Sequence, residues 1–251
     1  MIDVHCHLEQ PDYDSDREEV IEKCKKELKA VITSCANPKD FELTIKMVEK
    51  HKGFIFATVG IHPEYVKEIS DKEKEDFFEV IKQNKEKVVG IGEVGLDYDW
   101  VKEQDLQQKQ REWLVQFINL AKELNLPLVI HARASFEDAL KILEQEGAKK
   151  VLFHMFGANH LLKRVVENGY FISLNTILFK SKKHKKIARD VPLENLMIET
   201  DSPWLGEEGK RNDPCSVKKV IQKIAEIKKL SFEEVDETTT RNAIKFFDLK
   251  I

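Results

Sequence analysis

Two histidines stand one residue apart near the start of the chain, in His5-Cys6-His7, and further histidines and carboxylates recur in apolar company: Glu93, His131, His154 and Asp201. Imidazole suits Zn, Mn, Ni or Fe, and a carboxylate can bridge two ions through its two oxygens. In an extended strand, residues two apart share a face. Asp3, His5 and His7 then point one way while Val4, Cys6 and Leu8 point the other, which makes His-x-His a chelating pair and assigns Cys6 to packing. Two histidines in one strand are equally well read as hydrogen-bonded core residues, so the metal reading depends on what else reaches them.

The elements that must bring these residues together are short apolar runs, each followed by a longer helical pattern. The runs are IDVHCHL (2–8), AVITSCA (30–36), FIFATVGIHP (54–63), VVGIGEVGLD (88–97), PLVIHAR (127–133), VLFHMF (151–156), YFISLN (170–175) and LMIETDSPWL (196–205). Between them, Ser15 with Glu18 and Ser70 with Glu73 read as capping boxes, and Asn37-Pro38 as a cap followed by proline at the first helical position. From Asp105 to Leu124, Leu106, Trp113, Phe117 and Leu120 fall near one helical stripe. Strands alternating with helices indicate a parallel α/β architecture, and eight strands is the number that closes a (β/α)8 barrel. No linker rich in Pro, Gly or Ser, no repeat and no low-complexity tract divides the chain, so 1–251 is expected to be one domain.

A parallel sheet is covered on both faces, so its strands should be almost continuously apolar. The ionisable exceptions fall in a pattern. His5 and His7 come late in the first run, Glu93 in the fourth, His131 in the fifth, His154 in the sixth and Asp201 in the eighth. Each lies toward the C-terminal end of its strand, the edge where α/β barrels place their chemistry. Separate burial of six unrelated polar groups is a poor account of that coincidence. A ligand set for divalent metal explains it directly.

The bulk numbers bound the partners. With 251 residues, 41% apolar and 34% charged, the chain can bury a sizeable core without staples. Its net charge of −4 excludes a generally basic nucleic-acid coat, so affinity for phosphate must come from a local patch or a bound metal. Cys6, Cys24, Cys35 and Cys215 show no CxxC spacing and read as free thiols in a reducing cytoplasm. No run approaches the roughly 18 apolar residues of a membrane-spanning helix. His5 and His7 occupy the place of a signal peptide's apolar region, which argues against secretion. Nothing indicates an obligate protein partner.

The motifs HCHL (5–8), GIHP (60–63), GEVGLDY (92–98), VIHAR (129–133), HMFG (154–157), ETDSPWL (199–205), KRNDP (210–214) and RNAIKFF (241–247) occur in an order that resembles the TatD-related deoxyribonucleases. The resemblance runs along essentially the whole chain and is most specific in GEVGLDY and ETDSPWL. It implies a single TIM barrel with a metal site at the C-terminal rim, holding two divalent ions drawn from Zn, Mg, Mn, Ni and Co. It further implies that His5, His7 and Asp201 hold one ion, His131 and His154 the other, with Glu93 between them. Two departures are visible: His154-Met155-Phe156-Gly157 where the family often reads His-Cys-Phe-Ser-Gly, and Asn212-Asp213-Pro214 where it often reads Asn-Glu-Pro.

The residues themselves support only metal-assisted hydrolysis; the resemblance implies a phosphodiester of DNA, or RNA, attacked by a metal-activated water, with nucleotides removed from an end. Asp201 is the first candidate to take the proton of that water and Glu93 the second. His62 in GIHP is expected to contact phosphate or to donate to the leaving oxygen. Arg133 follows His131 by two residues and offers a guanidinium to phosphate, with a salt bridge to a neighbouring strand as the alternative. Lys182 and Lys183, in the basic stretch KSKKHKKIAR (180–189), and Lys210 and Arg211 are the remaining phosphate contacts considered. Trp100 and Trp204 offer stacking surfaces on the rim, with packing the favoured use of Trp204. His51, His160 and His184 are assigned no role. Two competing readings keep the fold: the same site hydrolysing an aminoacyl-tRNA ester, a small phosphoester or an amide, and a metal-holding scaffold without turnover.

Overall fold

In the computed structural model, which describes Met1–Ile251, each apolar run contains one strand: β1 (Ile2–Cys6), β2 (Ala30–Cys35), β3 (Ile55–Val59), β4 (Gly90–Asp97), β5 (Leu128–Arg133), β6 (Val151–Phe153), β7 (Phe171–Leu174) and β8 (Leu196–Ile198). They pair in chain order, each parallel to the next, as one eight-stranded sheet. Helices occupy the crossovers: α1 (Arg17–Glu27), α2 (Phe41–Lys50), α3 (Asp71–Gln83), α4 (Gln104–Leu124), α5 (Phe136–Gln145), α6 (Leu162–Glu167) and α7 (Lys182–Asp190). The chain then ends with α8 (Val217–Lys228) and α9 (Phe232–Phe247). The result is a nearly closed (β/α)8 barrel. None of its helices is long and apolar enough to cross a membrane.

The last seam of the barrel is closed just beyond β8, by the residues expected to do chemistry. Asp201 N–H donates to the His5 carbonyl at 2.9 Å, and His7 N–H donates to the Ser202 carbonyl at 2.7 Å. One layer below, the Asp3 carboxylate accepts from Thr200 N–H at 3.0 Å and from the Thr200 hydroxyl. Burial raises the Asp3 carboxyl well above the usual carboxylate range. Closing the sheet and positioning the first and last site residues are therefore one event.

Local signals act largely as expected. Ser70 and Glu73 exchange both bonds of a capping box at the start of α3, and the Asn37 side chain accepts from Lys39 N–H. Trp113, Phe117 and Leu120 bury one face of α4, which stops where Asn125 takes a left-handed conformation (φ 54°). The Ser15 box does not form. α1 starts at Arg17 with Asp16 as its cap residue, and no side-chain cap bond is made. The Asp16 carboxylate is instead held by Arg211, 195 residues away. All four cysteines are free and buried, and the thiol sulfurs of Cys24 and Cys215 lie 3.5 Å apart.

Glu93 owes its position to two glycines. The β4–β5 register shifts between Ile91 and Val94, so the segment holding Glu93 bulges out of the ladder. Gly92 (φ 155°) and Gly95 (φ 151°) adopt conformations that L side chains rarely take. A Cβ on Gly95 would lie 1.9 Å from the carbonyl oxygen of His131, the residue it pairs with on β5. Gly95→Ala is expected to lose about 3 kcal/mol of stability or more by chemical denaturation, the range of severe core substitutions. Wild-type stability would refute the claim that this strand pair depends on a bare backbone.

Candidate metal centre

Four of the other five proposed ligands and His62 converge on the Glu93 carboxylate, and Asp201 joins them through His5 and His7. Oε1 of Glu93 lies 2.7 Å from His131 Nδ1, 2.8 Å from His154 Nε2 and 3.6 Å from His62 Nε2. Oε2 lies 3.3 Å from His5 Nε2 and 3.7 Å from His7 Nε2. Asp201 Oδ1 completes that second group, 3.5 Å from His7 Nε2 and 3.8 Å from His5 Nε2. One buried carboxylate thus presents each oxygen to a different pair of imidazoles, a mixed nitrogen and oxygen donor set that suits divalent metal.

Whether the residues suit a cation can be judged from His5. Its side chain is fully buried, yet neither ring nitrogen has a hydrogen-bond partner. An orphaned buried polar group is costly, and native folds rarely tolerate one without a reason. A cation at Nε2 would supply one of the two missing partners. His131 Nδ1 and His154 Nε2 also approach each other to 3.2 Å beside Glu93 Oε1, so lone pairs converge from three residues. The donors fit a metal.

The far side of the rings supports the same reading. His7 Nδ1 lies 3.0 Å from Glu9 Oε1, His131 Nε2 3.0 Å from Asp97 Oδ2, and His154 Nδ1 3.6 Å from Glu199 Oε1. A carboxylate behind an imidazole fixes its proton on the outer nitrogen and leaves the inner lone pair for the metal. Those carboxylates are themselves anchored. Glu9 accepts from the Thr33 hydroxyl at 2.6 Å, and Asp97 Oδ1 from the N–H groups of Asp99 and Trp100. Glu199 accepts from Met155 N–H at 2.9 Å and from the Asn175 amide at 3.0 Å. Glu9, Asp97 and Glu199 were not singled out from the sequence, although His7-x-Glu9 and the acid at the end of GEVGLD were signals available to it.

The charges answer one another. Burial alone would depress His7, His131 and His154, but adjoining carboxylates outweigh it and raise all three. Burial would likewise raise Glu93, yet His154, His62 and His5 hold it well below the usual carboxylate range; Asp201 is lowered chiefly through His7. His62 differs. Burial, then the neighbouring His131, push it down to about 3. Its Nδ1 accepts from Glu64 N–H at 3.2 Å, so the ring is neutral with its proton on Nε2, facing His131 Nδ1 at 3.2 Å.

The phosphate candidates divide. Arg133 is engaged, with Nε 3.4 Å from Asp99 and the guanidinium 5.0 Å above the Trp100 ring. Arg211 is committed to the fold: it pairs with Asp16, donates to the Asp12 carbonyl at 2.6 Å and lies over Tyr13, which removes it from the candidates. Lys210 is exposed, 3.7 Å from Glu208. Lys182 and Lys183, at the start of α7, are exposed and form no ion pair. The Lys183 ammonium lies against Gly157, where a Cβ would sit 3.1 Å from Nζ, and lines a cleft of about 400 Å³ together with Tyr98, Ser135, Asp138 and His160. A larger open groove of about 1000 Å³ beside α8 is lined by charges such as the Lys219–Glu207 pair and contains none of the metal donors. His51 faces Glu18, and His184 bonds to the Ser181 hydroxyl.

A nearly closed (β/α)8 barrel with clustered His and carboxylate donors at the C-terminal rim defines a metal-dependent hydrolase. The chain matches the family model described as TatD related DNase over residues 2–248, and it belongs to that family. It is 35% identical over 258 residues to human "Deoxyribonuclease TATDN3", covering 98% of this chain and 94% of that protein. It is 36% identical to an uncharacterized metal-dependent hydrolase of Methanocaldococcus jannaschii, covering 100% and 98%. The crystal structure of YJJV, a TatD homolog from Escherichia coli, superposes with a TM-score of 0.92 at 24% identity, covering 100% and 98%. The chain is accordingly a hydrolase of ester bonds.

The carboxylates behind the rings give a direct test. Asp97→Asn is expected to weaken divalent-cation binding about 10- to 100-fold in calorimetric titration while the fold persists. Unchanged affinity would show that His131 needs no support from Asp97.

Proposed function

We propose that the chain is a two-metal phosphodiesterase acting on DNA and removing nucleotides from an end. The carrying observation is the division of donors by Glu93: His5 and His7 toward Oε2 with Asp201 beside both, His131 and His154 toward Oε1. In this reading His5, His7 and Asp201 would hold one divalent ion and His131 and His154 the other, with Glu93 shared between them; Zn, Mg, Mn, Ni and Co all suit the mixed nitrogen and oxygen set. Such ions lower the pKa of a water from about 15.7 toward 7 and offset charge on the attacking and leaving oxygens.

The protein's own groups then take separate tasks. Asp201 accepts the proton, because it meets the histidines through Oδ1 alone and its side chain is 14% exposed, whereas both oxygens of Glu93 face imidazoles and its side chain is 4% exposed. His62, neutral with Nε2–H turned toward the donors, donates a hydrogen bond to a phosphate or leaving oxygen. Lys182 and Lys183 contact the backbone further along. The likeness to human deoxyribonuclease TATDN3 supports DNA as substrate. One sheet spanning β1 to β8 supports treating 1–251 as one domain, and four free buried thiols support a reducing cytoplasm.

End-labelled single-stranded DNA incubated with metal-loaded protein is expected to shorten from one end, to stop on chelation and to resume when one metal is restored. Inertness with Mg, Mn, Co, Ni and Zn alike would overturn the nuclease reading. His131→Ala should lose about half of the bound metal by elemental analysis, since two ions share the donors; full retention would overturn the two-ion assignment. Lys182→Glu with Lys183→Glu should weaken DNA binding and reduce the slope of log affinity against log salt by about 1 to 2, as for lost phosphate contacts. A wild-type slope would make that helix face a bystander.

A further inference from the structure

The chain has three tryptophans. Trp113 is buried on α4, whereas Trp100 is 54% and Trp204 46% exposed. Apart from Ile251 at the chain end, these two are the large apolar side chains that the fold leaves in solvent. Single exposed apolar residues need no explanation, but a pair bracketing a functional site does. The Trp204 ring lies 4.7 Å from that of His7, at the His5–His7–Asp201 end of the donor array. The Trp100 ring lies 6.0 Å from that of His62, at the His131 end.

Both rings are tied to the donors by short backbone links. Trp204 N–H donates to the Asp201 carbonyl at 3.1 Å. Its loop is pinned on both sides, by the Thr176 hydroxyl on the Leu205 carbonyl (2.6 Å) and by Asn212 N–H on the Pro203 carbonyl (2.8 Å). Trp100 N–H donates at 2.8 Å to Asp97 Oδ1, whose partner oxygen holds His131 Nε2 at 3.0 Å. The Arg133 guanidinium braces the Trp100 ring from 5.0 Å. Neither ring is buried in the core; Trp204 lies against His7 in the rim loop with nearly half its surface left open.

We propose that Trp100 and Trp204 are stacking platforms for unpaired bases to either side of the scissile phosphate, so that the site takes single-stranded nucleic acid or an unpaired end. The inference rests on the phosphodiesterase reading above. Every base has a π-face, so stacking on an indole tolerates any sequence. In a duplex those faces are occupied by neighbouring base pairs, and two platforms flanking one phosphate reject it. Selection is then by strandedness, and both residues position substrate without touching the reacting atoms.

Because two of the three tryptophans are the proposed contacts, intrinsic fluorescence reads binding directly. Protein loaded with Zn or Mg is titrated with a phosphorothioate-linked single-stranded DNA decamer that resists cleavage, with the same backbone lacking all bases, and with the corresponding blunt duplex. The base-bearing single strand should quench the fluorescence and bind tightest. Trp100→Ala and Trp204→Ala should each weaken it roughly 5- to 150-fold. Trp→Phe at the same positions should restore most of the loss, with thermal unfolding unchanged throughout. Equal affinity for the base-free backbone, or alanine variants that bind like wild type, overturns the platforms even if the enzyme cleaves DNA. Quenching and phenylalanine rescue without cleavage of an ordinary DNA strand leaves the platforms in place and overturns the nuclease reading.

Discussion

A carboxylate that is 3% exposed, surrounded by imidazoles from three strands and a loop, is the constraint on which the rest of the structure depends. A buried charge is tolerable only when it is paired and hydrogen-bonded. Glu93 is paired on both oxygens, and the pairing reaches β1, the turn after β3, β5 and the end of β6. The bulge and glycines of β4 serve that placement. Without the shift between Ile91 and Val94, the alternation of the strand would have to aim Glu93 from a regular ladder position.

The same economy governs the ends of the barrel. β8 is only three residues long, and the chain closes the sheet with the segment beyond it. Asp201 has a positive φ of 56°, uncommon for a residue other than glycine. Its N–H nevertheless bonds to the His5 carbonyl, and its carboxylate turns back to His5 and His7. Backbone strain of this kind persists where the surroundings over-determine it. Here the surroundings are the closing seam itself, so the position of Asp201 relative to His5 is set by barrel geometry, not by a free loop.

The eight strands were legible because a parallel strand buried on both faces leaves a continuous apolar run. The ionisable interruptions of those runs marked the residues that the structure brings to Glu93. What escaped reading has a common cause. Glu9, Asp97 and Glu199 matter through the far nitrogen of a ring, and a linear sequence does not say what that nitrogen faces. The Ser15 box does not form: the helix begins one residue later, and Glu18 pairs at 2.7 Å with Lys50, a partner remote in sequence. Core burial and loop packing of Trp204 could not be told apart in the sequence, because the backbone bonds that fix its loop join residues remote along the chain.

Those carboxylates also decide how an acidic protein can attract an anionic substrate. Glu9, Glu93, Asp97, Glu199 and Asp201 gather around one rim, in a chain whose net charge is −4. Left to themselves they would repel phosphate, and they favour the protonated forms of His7, His131 and His154. Divalent cations compete with those protons for the same nitrogens, and binding therefore releases protons. A bound cation is the largest local charge in such a site and reverses the sign of its field. In the proposed reaction the metals consequently act twice: they supply the chemistry, and they convert a rim built from carboxylates into one that a phosphodiester can approach. In the same proposal, the unpaired lysines at the start of α7 would extend the field of a bound cation.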